Sequence, residues 1–178
     1  MQGKTHLITG VTGSYLLGYL IESNKWHIDE VVFSNSSNIT IGNIALVTLL
    51  SGFISNLPDI DLANSGISKF IPFIGKFPSK LTSHRSITHS LFALLMISLL
   101  ILTVSRSYEW TVILSISYLS HLLLDLPNKI GLRIFWPNKT RICLRWYKSD
   151  NLVMNTILII IAIMTNSWII YQLLGLKY

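Results

Sequence analysis

Five apolar runs separated by polar stretches set the plan of this chain: residues 6–21, 39–57, 88–104, 109–126 and 152–174. A helix of about 20 apolar residues crosses the hydrocarbon core of a bilayer, and the last run is the longest of the five. The first is shorter, and Thr9, Gly10, Thr12, Gly13 and Ser14 interrupt it. Small and hydroxyl residues suit a helix packed closely against neighbours, or one lying half in the interface. Pro58 ends the second run and Pro127 the fourth, because proline cannot continue the helical hydrogen-bond ladder and restrains the residue before it. Between the runs, residues 22–38 are polar. Residues 58–88 carry Pro58, Pro72, Pro78 and several lysines, and Ile67 to Phe77 is apolar enough to lie on a membrane. Residues 127–151 are basic and aromatic. The pattern predicts an all-α protein, a single membrane-embedded domain over residues 1–178, built as a polytopic bundle of about four to five transmembrane helices.

Composition agrees with that pattern. The chain is 51% hydrophobic and 12% charged, against about 25% charged for soluble domains. A net charge of +6 could attract nucleic acid or anionic lipid, but topology accounts for it. With five spans, eleven of the Lys and Arg residues fall on the face that holds the N-terminus and the loops 58–88 and 127–151, and three on the other. The positive-inside rule then puts the N-terminus and both loops in the cytoplasm and the C-terminus outside. No nucleic-acid partner is expected; the bilayer is. If the first run does not span, His6 parts from that face. Cys143 is the single cysteine, which excludes an internal disulfide and a Cys-based zinc site. His6, Gly10 and Gly13 break up the first run, so it does not read as a cleavable signal.

The chemistry sits at the ends of the runs. His6 begins the first. Asp59 and Asp61 follow the second. His84, Arg85 and His89 precede the third, and His121 with Asp125 closes the fourth. On the topology above, all of these groups lie on the cytoplasmic face although they are far apart in sequence. Ionisable groups bordering apolar helices are costly and mark function by default. His121 and Asp125 are four apart and project from nearly one side of a helix. Asp59-Ile60-Asp61, taken as an extended segment, would put both carboxylates on one edge. Imidazole and carboxylate together suit zinc, manganese or iron. Four His and three Asp exceed one tetrahedral zinc and suit two ions sharing carboxylates, a device of phosphoester hydrolysis. Taken singly, each piece has a plainer reading: the Asp pair as a turn, His6 as an interfacial residue, His84 and His89 as capping groups with Ser83 and Thr88, and His121–Asp125 as a hydrogen bond within a bundle. His27, on the opposite face and without a partner group, reads as surface.

Four motifs resemble the YdjM-type membrane-bound metal-dependent hydrolases of bacteria: Gly3-Lys4-Thr5-His6, Leu57-Pro58-Asp59-Ile60-Asp61, His84-Arg85-Ser86-Ile87-Thr88-His89-Ser90, and Tyr118-Leu119-Ser120-His121-Leu122-Leu123-Leu124-Asp125. A weaker stretch from Gly131 to Trp136-Pro137 also fits. The match keeps motif order and spacing over about residues 1 to 137, and beyond that only a hydrophobic helix corresponds. The resemblance implies a hydrolase of the inner membrane that requires divalent metal. The family is distantly similar to the helical zinc-dependent phospholipase C and the nucleases of that fold, a fold-level analogy that carries chemistry only weakly. Two departures bear on the ligand count and on a third metal: Leu62 stands where some relatives carry a His, and Val153 where some carry a Glu, with Asp150 nearby.

These residues and the resemblance predict a membrane hydrolase acting on a lipid-linked phosphoester at the cytoplasmic face through metal-activated water. The metal is zinc, with manganese as the alternative, and two ions are expected. His6, Asp59, Asp61, His84, His89, His121 and Asp125 would be the ligands. Asp61 or His84 would instead serve as general base or orient a ligand, and Arg85 would stabilise charge on a phosphoryl oxygen. The basic loop, with Trp136 and Trp146 at the interface, would hold headgroups nearby. The alternative is a non-enzymatic membrane metal-binding protein, a carrier or a sensor. A carrier needs ionisable groups deep in its spans, and apart from the groups named the runs are nearly free of charge.

Overall fold

The computed structural model describes residues 3–23, 41–62, 65, 67, 87–146 and 151–173. Each apolar run becomes a helix with ends close to those of the run: α1 Gly3–Ser23, α2 Ile41–Asn56, α3 Leu91–Ser105, α4 Tyr108–Asp125 and α5 Leu152–Leu173. A short 3-10 helix, Leu57–Asp61, continues α2. Among the described residues there is no strand; Leu132 and Ile142 form an isolated antiparallel bridge in the basic loop. α1 is central and packs against α2, α4 and α5, while α2 and α3 also pack against α4.

Local chemistry sets the helix ends. The Ser90 hydroxyl accepts from the Ala93 amide at 3.2 Å and donates to the Ile87 carbonyl at 2.6 Å, capping α3. The cap is therefore Ser90 rather than Thr88, and Ser83 lies outside the described residues. Arg106, in the left-handed region at φ 55°, turns the chain out of α3, and Ser107 caps α4. Replacing Ser90 by Ala is expected to cost about 1 kcal/mol, visible as a small drop in the thermal unfolding midpoint.

Burial runs opposite to that of a soluble bundle. Ser14, Ser51, Ser55 and Ser117 are fully buried, whereas Leu100 and Val104 of α3 and Met164 of α5 are 58%, 77% and 68% exposed. No residue of α3, a largely apolar helix without a charged residue, is buried within the chain. Water would penalise such a surface; a hydrocarbon solvent does not, and helices meeting in lipid favour small and hydroxyl residues at their contacts. Gly10 shows the closest of these contacts. A Cβ placed there would lie 2.2 Å from Ser55 Cβ, so α1 and α2 touch backbone to side-chain root. By length and composition, one described helix suffices for a span on its own, Leu152–Gln172 of α5. α3 is shorter, and α4 carries Glu109, His121 and Asp125 among its apolar residues.

Candidate metal centre

The charged groups gather at the end of the bundle where α1 begins and α2 and α4 end. His6 lies in the first turn of α1. Beside it, the Thr5 hydroxyl donates to Asn155 Oδ1 at 3.2 Å, tying the start of α1 to the first turn of α5. Asp59 follows α2. His89 stands two residues before α3, and His121 and Asp125 occupy the last turns of α4.

The expected extended Asp59-Ile60-Asp61 segment is instead helical, and this is a correction. Pro58 ends α2 but falls in the first turn of the 3-10 helix, where its fixed φ is compatible and its missing N–H costs nothing. At three residues per turn, side chains two apart point about 120° away from each other. Asp59 and Asp61 therefore do not share an edge. Asp59 faces the histidines, and Asp61, 4% exposed, accepts a hydrogen bond from the Thr88 hydroxyl at 3.0 Å.

Four donor atoms form a closed ring. Asp59 Oδ1 lies 3.5 Å from His89 Nε2 and 3.7 Å from His121 Nε2, and Asp125 Oδ2 lies 3.7 Å and 4.0 Å from the same two nitrogens. A metal held tetrahedrally at about 2.0–2.1 Å keeps its ligand atoms roughly 3.3–3.4 Å apart. The ring is only slightly wider than that. His6 adjoins it: its ring stacks on that of His121 with centroids 3.6 Å apart, and its Nε2 is 3.5 Å from Asp125 Oδ1. His6, Asp59 and His121, and likewise His89, His121 and Asp125, offer donor atoms all within 4.8 Å of one another. The three histidines are fully buried, and Asp125 and Asp59 are 1% and 14% exposed.

Hydrogen-bond chemistry indicates which nitrogens are available. His121 Nδ1 is 2.6 Å from the Ser55 carbonyl oxygen. A carbonyl only accepts, so in the neutral ring Nδ1 carries the hydrogen and Nε2 keeps its lone pair for the centre. Nε2 of His121 and both ring nitrogens of His6 are buried with no hydrogen-bond partner among the described residues. A buried polar atom left unmatched costs about 1–3 kcal/mol. A divalent cation would satisfy several at once, and the donor set, imidazole with carboxylate, is one that zinc and similar ions accept. Burial alone would raise the Asp59 carboxyl. The close approach of the His89, His121 and His6 imidazoles outweighs it and holds Asp59 well below the usual carboxylate range. This buried carboxylate therefore faces the centre as an anion.

Of the seven candidate ligands, His6, Asp59, His89, His121 and Asp125 meet, and Asp61 stands to one side against Thr88. His84 and Arg85 lie outside the described residues. Sequence reading did not single out the Ser55 carbonyl or Tyr118, whose hydroxyl donates to the Thr88 carbonyl. A backbone acceptor leaves no trace in residue identity; Tyr118 does lie three residues before His121, on the same side of α4. The basic loop comes to this same end: Leu91 N donates to Ile134 O at 3.0 Å and Leu144 N to Leu126 O at 3.1 Å. The Trp136 ring meets Phe92 with centroids 5.3 Å apart.

Fold and site together define a helical membrane protein with buried His and Asp groups that could hold a divalent metal at one end of its bundle. The chain belongs to the YdjM inner membrane protein family, whose family model matches residues 1–176, so the relationship extends through the last helix. The chain is also similar to the uncharacterized protein YvsG of Bacillus subtilis (strain 168), with 26% identity over 147 residues, 83% of this chain and 80% of that protein. No solved structure matches it.

Proposed function

We propose that this chain is a multi-pass hydrolase of the bacterial inner membrane that requires divalent metal and cleaves a phosphoester, lipid-linked, at the cytoplasmic face. The observation that carries the reading is the buried ring of His89 Nε2, Asp59 Oδ1, His121 Nε2 and Asp125 Oδ2, with His6 beside it. These residues would hold zinc, or manganese in its place. A divalent ion there supplies Lewis acidity and a water able to act as nucleophile at neutral pH. Two ions are proposed because five His and Asp side chains exceed the four ligands of one tetrahedral zinc, and Asp125 presents one oxygen to His89 and His121 and the other to His6, so it would be available to both. His84 would handle the proton, and Arg85 would bind a phosphoryl oxygen through its planar fork of donors. Lys129, Arg133, Arg141 and Arg145, on a loop anchored to this end of the bundle, favour an anionic headgroup, and Trp146, 75% exposed, suits the interface. The same positive charge supports a cytoplasmic site.

A carrier or sensor draws on a different observation. The Ser14, Ser51 and Ser117 hydroxyls bond to one another through the middle of the bundle, and Glu109 is buried at the far end of α4. Neutral hydroxyls that satisfy each other serve as interhelical glue, so the hydrolase reading is preferred.

The test is elemental mass spectrometry of detergent-purified protein, wild type beside His89→Ala, after zinc or manganese is added back, followed by assays with phospholipids and soluble phosphoesters. The wild type is expected to retain metal and the variant to lose it, and any hydrolysis is expected to cease with chelator and return with metal. A wild type that holds no metal, or hydrolysis indifferent to chelator, overturns the proposal. Metal flux into vesicles that is lost in His121→Ala would favour the carrier.

A further inference from the structure

Asp61, Thr88 and His89 form a chain of hydrogen bonds that enters the centre from behind. The Thr88 hydroxyl donates to Asp61 Oδ2 at 3.0 Å, and Thr88 Oγ1 itself lies 3.1 Å from His89 Nδ1. A hydroxyl has one hydrogen and a carboxylate accepts without donating. Once that hydrogen is given to Asp61, Thr88 can meet His89 Nδ1 only as an acceptor. Nδ1 must then carry the ring hydrogen, which leaves the lone pair on Nε2. That is the atom 3.5 Å from Asp59 Oδ1 and 3.7 Å from Asp125 Oδ2. Thr88 is itself held: Tyr118, buried on α4, donates to its carbonyl, and Ser90 just beyond caps α3. His121 reaches the same state by another route, through the Ser55 carbonyl.

We infer that Thr88 is a positioning residue of the metal centre, its hydroxyl polarised by Asp61 so that His89 presents Nε2 as the ligand atom. Asp61 acts through Thr88 and is not itself a ligand. The inference rests on the metal-centre reading and extends it to two residues behind the donor ring. Groups that orient a metal-bound histidine usually change affinity by about 10–100-fold when removed. Among the seven candidate ligands of the sequence motifs, this makes Asp61 different in kind from Asp59, two residues away.

The test is zinc affinity, measured by competition with a chromophoric chelator on purified wild type, Thr88→Val, Thr88→Ser and Asp61→Asn. Thr88→Val keeps the shape and removes the hydroxyl, and its affinity is expected to fall about 10–100-fold with at most a modest change in thermal unfolding of the metal-free protein. Thr88→Ser is expected to restore most of the loss. Asp61→Asn is expected to weaken binding as well, because an amide can donate to Thr88 and so reverse the chain. Nitrogen NMR of labelled histidine in the metal-free protein gives a readout independent of metal: the His89 signals should report hydrogen on Nδ1 in the wild type and a mixture of tautomers in Thr88→Val. If wild type binds zinc and Thr88→Val binds it equally tightly, the inference fails while the centre stands. If Asp61→Asn abolishes binding while Thr88→Val does nothing, Asp61 is a ligand and the assignment is wrong. If wild type binds no zinc, the underlying reading fails first.

Discussion

Asp125→Ala is expected to abolish stoichiometric metal binding, with the largest effect of any single substitution in this protein. Asp125 is the hub of the centre: one oxygen lies within 4.0 Å of both His89 and His121 and the other 3.5 Å from His6. At 1% exposure, water cannot take its place without rearrangement of the bundle end. Because Asp125 would be a ligand shared among three imidazoles, its removal should lower zinc affinity by more than the roughly 10–100-fold typical of groups that only orient a ligand. Asp125→Asn keeps the volume and removes the charge, so it separates electrostatics from packing. It should lose most of the affinity and little of the thermal stability of the metal-free protein. Calorimetric or chelator-competition titration with zinc reads both. Unchanged metal content in Asp125→Ala would remove α4 from the site and leave its His and Asp as a structural pair.

Gly10→Ala is expected to damage the same centre from within the bundle, about one helical turn from His6. The new methyl would lie 2.2 Å from Ser55 Cβ, an atom that no side-chain rotation can move. α1 and α2 must separate, and overpacking of this kind costs about 1–3 kcal/mol. Ser55 is also the residue whose carbonyl holds His121, and the Gly10 carbonyl accepts from the Ser117 hydroxyl at 3.2 Å, so the displacement reaches α2 and α4 together. Thermal unfolding and zinc affinity should both fall. Ser55→Gly removes the obstructing Cβ while keeping the carbonyl, at the cost of about 1 kcal/mol for glycine within a helix. The double variant Gly10→Ala, Ser55→Gly should therefore recover metal affinity beyond either additive expectation, the mark of direct contact in a double-mutant cycle. A harmless Gly10→Ala would mean that α1 and α2 do not approach as closely as described, and the route from His6 to His121 would need redrawing.

Much of the fold was legible because the signals for it are local. Each apolar run became a helix with boundaries shifted by only a few residues, since proline, serine caps and the limits of hydrophobic patterning act within a turn or two of where they stand. The His121–Asp125 pair was legible for the same reason: a spacing of four puts both on one helix face, and Asp125 Oδ2 lies 4.0 Å from His121 Nε2. The polarity of charge at the run ends already suggested that His6, Asp59, His89 and His121 would share one end of a bundle. The Asp59-Ile60-Asp61 segment was misread because Pro58 was taken only as a stop, whereas proline is also at home in a helical first turn.

What the sequence by itself determined, then, is the helix content, the apolar outer surface, the family, and the set of charged residues at one end of the bundle. These depend on residue type and short spacing. The tertiary structure alone decided which of those residues face one another. It turned Asp59 toward His89 and His121 and Asp61 toward Thr88, stacked His6 on His121, and brought the Ser55 carbonyl from α2 to the Nδ1 hydrogen on α4. Such contacts depend on how closely two backbones approach and on backbone acceptors that every residue possesses, so residue identity carries no record of them.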